Sequence, residues 1–220
     1  MAYVPFLAEM HNRTRRDYLE RVVRFDKAEC AARAKQWGHD YWDGERQYGF
    51  GGYHYDGRWL PLARRIAGHY GLKAGDSVLD VGCGKAFLLY ELTRAVPGLK
   101  VAGLDISGYA LEQAREEVKP FLHEGSATSL PFAEGSFELV LSITTLHNLP
   151  IFELQQAVRE IQRVGRRDRW IAVESWRNER EKANLLYWQL TCETFFTPEA
   201  WVWWYGQCGY TGDWDFIFFE

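Results

Sequence analysis

Residues 78–92 read VLDVGCGKAFLLYEL, an apolar run, a glycine-rich turn and a second apolar run. Such a turn between a buried strand and a helix lets a ligand approach the backbone and points the helix N-terminus at it. Three nucleotide-binding patterns compete for it. A dinucleotide fingerprint needs a third glycine where Phe87 stands. A phosphate loop needs Ser or Thr where Ala86 follows Lys85, and a first glycine where Leu79 stands. What remains is an acid two residues before the first glycine, in Asp80-Val81-Gly82-Cys83-Gly84. Further along, Asp105, His147 and Glu174 close apolar runs, where a carboxylate or imidazole can hold a ligand or take a proton.

Those side chains need a frame. Apolar runs at 77–81, 100–104, 121–124, 137–142 and 169–174 predict five strands. Helical spacing between them predicts helices at 85–96, 109–118 and 151–164, the last burying Leu154, Val158, Ile161 and Val164. Alternating strands and helices predict a parallel sheet with helices on both faces. Ligands of such sheets bind outside the carboxyl ends of the strands. His147, Asn148 and Glu174 fall at those ends.

The flanks differ. The spacing of Tyr18, Val22 and Phe25 predicts a helix from Thr14 to about Trp37. Residues 38–58, GHDYWDGERQYGFGGYHYDGR, read as a loop. Pro61 opens a helix to about Tyr70, closed by Gly71. After residue 175, helices are expected over 178–190 and from Pro198, N-capped by Thr197, with one last strand at 214–219. All ten tryptophans avoid residues 60–169, which divides the chain into an ordinary middle and two aromatic flanks.

Composition narrows the classes. With 47% hydrophobic and 25% charged residues the chain is globular rather than disordered. A net charge of −4 argues against a surface built for nucleic acid. No apolar run approaches the length of a membrane span, and residues 1–10 lack a secretory pattern. Cys30, Cys83, Cys192 and Cys208 form no C-x-x-C pair, so neither a zinc site nor a disulfide framework is expected, and a reducing cytoplasm is the expected setting. Arg13, Arg15 and Arg16 read as a solvated helix start.

Over about residues 60–175 the sequence resembles the class I S-adenosylmethionine-dependent methyltransferases. VLDVGCG matches their first motif, GLDIS (103–107) their second-strand motif, and EGSATSLPFAEGSFELVLS (124–142) the stretch running into the fourth strand. The resemblance implies S-adenosylmethionine as cofactor and S-adenosylhomocysteine as product. It places Asp80, Gly82, Cys83 and Gly84 under the cofactor, Asp105 on the ribose hydroxyls with Ile106 beside it, Ser126 and Ala127 at the adenine edge, and Ser142 at the start of the segment beneath the methionine part. Two positions depart from the pattern: Ala86 replaces a common third glycine, and Ser126 a common Asp.

The expected architecture is therefore a Rossmann-like, doubly wound α/β fold: a mainly parallel sheet of six or seven strands with an antiparallel last strand and an N-terminal helical cap. Residues 1–58 form the helix and aromatic lid, and residues 59–220 the cofactor-binding domain. His147 is a candidate general base and Glu174 a second proton acceptor or amine-orienting group, each of which also reads as a pocket wall or strand end. Tyr48, Tyr53, His54, Asn148 and Trp176 are candidates for contacting the acceptor, an amine, sugar or other small metabolite methylated on N or O. No metal, nucleic acid or membrane is expected, and a homodimer is compatible with the reading. The alternative is a cofactor-binding partner subunit using the tryptophan-rich tail as an association surface.

Overall fold

The computed structural model describes residues 1–8 and 17–220. The basic run at Arg13, Arg15 and Arg16 and the expected helix start at Thr14 lie outside the described residues. Among those described, no helix is long and apolar enough to cross a membrane.

Six strands form one sheet: β1 (Ser77–Val81), β2 (Lys100–Asp105), β3 (Leu122–Glu124), β4 (Phe137–Ile143), β5 (Gly165–Glu174) and β6 (Asp213–Ile217), in the order β3-β2-β1-β4-β5-β6. The order reverses beside β1, between β2 and β4, which is where open α/β sheets leave a crevice. Period-two alternation sorts the strands' side chains to two cores. Val78, Leu139, Leu141, Trp170 and Ala172 face one side. Leu79, Val81, Val140, Ile171 and Val173 face the other. Helices α4 (Leu60–His69) and α5 (Phe87–Ala95) pack on the first face through Leu62, Ile66, Leu88 and Leu92. Helices α7 (Ile151–Val164) and α9 (Pro198–Gln207) pack on the second through Leu154, Val158, Ile161, Trp201 and Tyr205.

The last strand corrects an expectation. β6 runs parallel to β5, with Trp170 opposite Asp213 and Glu174 opposite Ile217, so the expected antiparallel last strand is parallel. The reason lies in the connection. Helix α8 (Glu179–Trp188), α9 and their linkers return the chain to the start of β5 before β6 begins, a crossover long enough for a parallel pair. The outer edge of β6 is met by the N-terminus: Trp214 N–H donates to Ala2 O at 3.0 Å and Val4 N–H to Trp214 O at 2.8 Å. Behind this bridge Phe6 meets Trp170 edge-on at 5.2 Å and Leu7 is buried.

Among the described residues the cap is two helices rather than one. α1 (Tyr18–Arg24) ends at Phe25, and Asp26 caps the start of α2 (Lys27–Ala34) by accepting the N–H groups of Ala28 and Glu29. The loop that follows contains one short helix, α3 (His39–Trp42). Helix α6 (Gly108–Glu112) is a single short segment, cut well before the expected end at 118, and a 3-10 turn at Lys119–Phe121 precedes β3.

Candidate active site

The glycine turn leaves β1 with Gly82 and Gly84 at positive φ (79° and 55°), and with Gly82 and Cys83 N–H groups both donating to Leu104 O. A Cβ at Gly82 would lie 2.0 Å from Thr145 Oγ1, so no larger residue fits. Ala86, where the third glycine is absent, is itself held at φ 54° ahead of α5. Asp105 ties the turn to β2: Oδ2 accepts Gly84 N–H at 2.7 Å and Oδ1 accepts Ser107 N–H at 2.8 Å. Burial raises its pKa and these donors oppose the rise. Asp80 is 4% exposed, and its Oδ1 accepts no hydrogen bond. Burial, and then the charge of Asp105, push it up to about 7.

A crevice of about 140 Å³ opens above the turn, lined among others by Trp37, Gly82, Asp105, Ile106, Ser126 and Ala127. Ile106 is 59% exposed there. The donor set fits S-adenosylmethionine. Asp105 offers its remaining lone pairs to a diol, the apolar edge suits a purine, and the orphaned Asp80 carboxyl suits a cationic ligand. Ser126 is partly committed, since its Oγ lies 2.8 Å from Thr128 Oγ1 and accepts Thr128 N–H.

The aromatic loop is pinned over this turn. Lys85, 3% exposed, places Nζ at 2.7 and 2.6 Å from the two oxygens of Asp43. Tyr109 OH donates to Asp43 Oδ2 at 2.8 Å, and Tyr53 N–H donates to Oδ1 at 3.0 Å. Burial raises the Asp43 pKa, but the Lys85, Tyr109 and Tyr53 donors outweigh it and hold the carboxylate below its ordinary value. Trp42 donates from Nε1 to Ser107 Oγ at 2.9 Å and stacks on Phe50 at 5.4 Å. Its ring occupies the space a Cβ at Gly84 would need, 2.6 Å away.

A larger cavity of about 470 Å³ adjoins the crevice. Tyr41, Phe50, Ile143, Thr144 and Asn148 line both. His147 and Glu174 meet in its wall. Glu174 N–H donates to His147 Nδ1 at 3.4 Å, and His147 Nε2 lies 3.6 Å from Glu174 Oε2. With Nδ1 accepting, the hydrogen-bond network assigns the ring proton to Nε2, facing the carboxylate. Burial drives the imidazole down to about 3, so it is neutral near pH 7 and a weak base. Gln189 Nε2 donates to Glu174 Oε2, and Trp201 Nε1 donates to Glu174 O at 3.2 Å.

The expected site residues divide as follows. The crevice brings together Gly82, Asp105, Ile106, Ser126, Ala127 and Asn148. The cavity brings together Tyr53, His54, His147, Asn148 and Glu174. Asp80, on β1, and Cys83 and Gly84, in the turn, stand outside both linings. Burial raises the Cys83 thiol well above its ordinary value. Ser142 is fully buried between strands, where Oγ donates to Val81 O at 2.9 Å. Tyr48 lies under the Arg33 guanidinium at 4.7 Å, and Trp176 packs at the core edge beneath Lys182. Sequence reasoning missed Asp43 and Trp42 in the lid and Arg21 and Arg46 in the cavity wall. Lys85 was visible directly after the second glycine, but its partner, 42 positions earlier, carries no local signal.

Comparison with known proteins agrees with this geometry. The family model described as a methyltransferase domain matches residues 78–168. The 27-O-demethylrifamycin SV methyltransferase of Amycolatopsis mediterranei (strain S699) is 29% identical over 137 residues, covering 58% of this chain and 48% of that protein. The demethylmenaquinone methyltransferase of Symbiobacterium thermophilum is 32% identical over 116 residues, covering 49% and 45%. The chain thus spans about half the length of the curated relatives it matches. Among solved structures, the YcgJ protein from Bacillus subtilis superposes with a TM-score of 0.55 at 20% identity, over 70% of this chain and 68% of that one, a likeness of fold. The glycine turn, Asp105 and β4 all fall inside the matched residues, and the chain has the fold of the class I S-adenosylmethionine-dependent methyltransferases.

Proposed function

We propose that the protein transfers a methyl group from S-adenosylmethionine to a nitrogen or oxygen nucleophile of a small molecule seated in the larger cavity. The observation that carries this reading is the shared wall: five residues line both the cofactor crevice and the cavity, so two ligands would meet at the carboxyl end of β4. The cofactor supplies a methyl already activated on a sulfonium that departs as a neutral thioether. What the chain adds is position and proton removal. Asp105 and the glycine turn hold the nucleoside end. The Lys85–Asp43 pair keeps the aromatic loop closed over the turn and water out.

The proton of the acceptor N–H or O–H goes to Glu174. His147 is the positioning residue: its Nε2–H faces the carboxylate and its Nδ1 takes the Glu174 backbone N–H, which leaves neither nitrogen for the acceptor. The test uses S-adenosylmethionine carrying a labelled methyl, a bacterial small-molecule extract and the full chain. Label should appear in a product of small mass. Glu174→Gln should lower that transfer by about 10²–10⁴-fold, while S-adenosylhomocysteine binds the variant with unchanged affinity. A variant that keeps most of its transfer removes Glu174 from the mechanism, and label found only in macromolecules overturns the small-molecule reading.

A further inference from the structure

Among the described residues, the wall of the larger cavity carries more cations than carboxylates. Arg21, Arg46 and Arg58 line it, against Glu174 as the one carboxylate among the described lining residues. Arg58 is committed to Asp56, with Nε donating to Oδ2 at 2.6 Å. Arg21 is different. Among the described residues it forms no ion pair, and its Nη2 donates to Gln47 O at 3.2 Å. Its Nε is buried and has no hydrogen-bond partner.

The neighbouring groups add to this. The Arg21 guanidinium lies 4.5 Å from the centre of the Trp188 ring, and the Arg46 guanidinium lies 5.0 Å from the same centre. Arg46 Nη1 donates to Gly49 O and Phe50 O, which fixes its planar head at the cavity wall. Burial, and then the charge of Arg46, lower the Arg21 pKa to about 10. Lys27, on α2, is lowered by burial and then by Arg21. Burial and a neighbouring guanidinium both disfavour the charged form of Arg21, and an anion at Arg21 offsets them. A guanidinium fork whose plane rests on an indole is preorganised for the oxygens of a carboxylate or phosphate.

We propose that Arg21 and Arg46, braced on Trp188, form an anion-binding subsite, and that the methyl acceptor is a small molecule carrying a carboxylate or phosphate that docks there. This rests on the reading of the cavity as the acceptor site. The anion fixes one end of the acceptor, so that its nucleophile is presented toward Glu174 and the crevice. Arg21 carries the argument, since its buried Nε is a donor with nothing to donate to.

The test is a calorimetric titration of the full chain, saturated with S-adenosylhomocysteine, by benzoate, phenyl phosphate and the neutral benzamide. At least one of the two anions should bind, and benzamide should bind at least about tenfold more weakly, the scale of one hydrogen bond to a charged group. Benzoate binding more tightly than phenyl phosphate assigns the docking group as a carboxylate, and the reverse order assigns it as a phosphate. Arg21→Gln should weaken anion binding by about tenfold or more, and Arg21→Lys should recover only part of that loss because it keeps the charge without the fork. S-adenosylhomocysteine should bind all forms equally, which reports that each variant is folded. Benzamide binding as well as the anions, or anion affinity unchanged in Arg21→Gln, overturns the proposal. Failure of S-adenosylhomocysteine to bind the unaltered protein would instead overturn the cofactor assignment, and the anion titrations repeated without it would still decide the subsite.

Discussion

Asp80 and His147 are both buried, and pH acts on them in opposite senses. The Asp80 pKa is raised from 3.8 to about 7, so between those values the folded chain holds a proton that the unfolded chain has lost. Its contribution to stability is complete below about 4 and disappears as pH rises through about 7. The His147 pKa is lowered from 6.5 to about 3, so its contribution is complete above about 6.5 and disappears as pH falls. Each slope is about 1.4 kcal/mol per pH unit, and over the overlap they oppose one another. Asp80→Asn should therefore steepen acid destabilisation: measured by urea unfolding from pH 4 to 7, the difference between variant and parent should change by about 1.4 kcal/mol per unit. A difference that stays constant with pH would mean that Asp80 ionises normally. Bound S-adenosylmethionine, being cationic, should lower the Asp80 pKa, so cofactor binding should release protons near pH 7. The glycine turn was legible at this scale because its chemistry is local: Asp80, Gly82 and Gly84 span five positions. The His147–Glu174 contact was legible only as two strand ends. That both nitrogens of His147 face Glu174 depends on β4 and β5 being neighbours in register, which no stretch of sequence near His147 encodes.

Among the elements, the aromatic loop over 38–58 depends on one buried pair. Lys85 is 3% exposed, and Asp43 supplies its charge balance. Asp43→Asn leaves an ammonium in the interior, and breaking such a pair costs about 3–5 kcal/mol, with the lower end expected because Asp43 keeps an edge toward solvent. Lys85→Met in the same chain should recover much of the loss, since two neutral groups need no partner. Guanidinium unfolding of the single and double variants measures both, and equal loss in the two would show that Asp43 acts through Tyr109 or the Tyr53 N–H instead. The strands were readable from their apolar runs, because alternate residues serve two cores. The direction of β6 was not, since a strand's sequence fixes its faces and leaves open which way it enters a sheet. The single N-terminal helix expected from Tyr18, Val22 and Phe25 divides at Asp26, where a side-chain cap outcompetes a continuing helix. Of the tryptophans, Trp59 and Trp188 line the cavity and Trp37 and Trp42 the crevice, while Trp170 and Trp201 are fully buried in the core and Trp203 is 62% exposed.

For the whole molecule, the two ends of the described chain share one wall. Leu7 lines the larger cavity together with Ile217 and Phe219, and Asp215 accepts Leu7 N–H at 2.9 Å. Phe6 is 6% exposed against Trp170, so Phe6→Ala should cost about 3–5 kcal/mol, read by denaturant unfolding. The same variant should loosen the larger cavity more than the crevice. The anion titration should weaken while S-adenosylhomocysteine binding changes little, and equal loss of both would mean that the sheet responds as one unit. The pairing of residues 2–4 with Trp214 also has a consequence in time. During synthesis the segments that make the cofactor crevice, up to Leu149, emerge long before β6 does. Residues 2–4 stay without this pairing until Trp214 has been made. The wall that Leu7 shares with Ile217 and Phe219 is therefore completed only after every residue lining the crevice has been made.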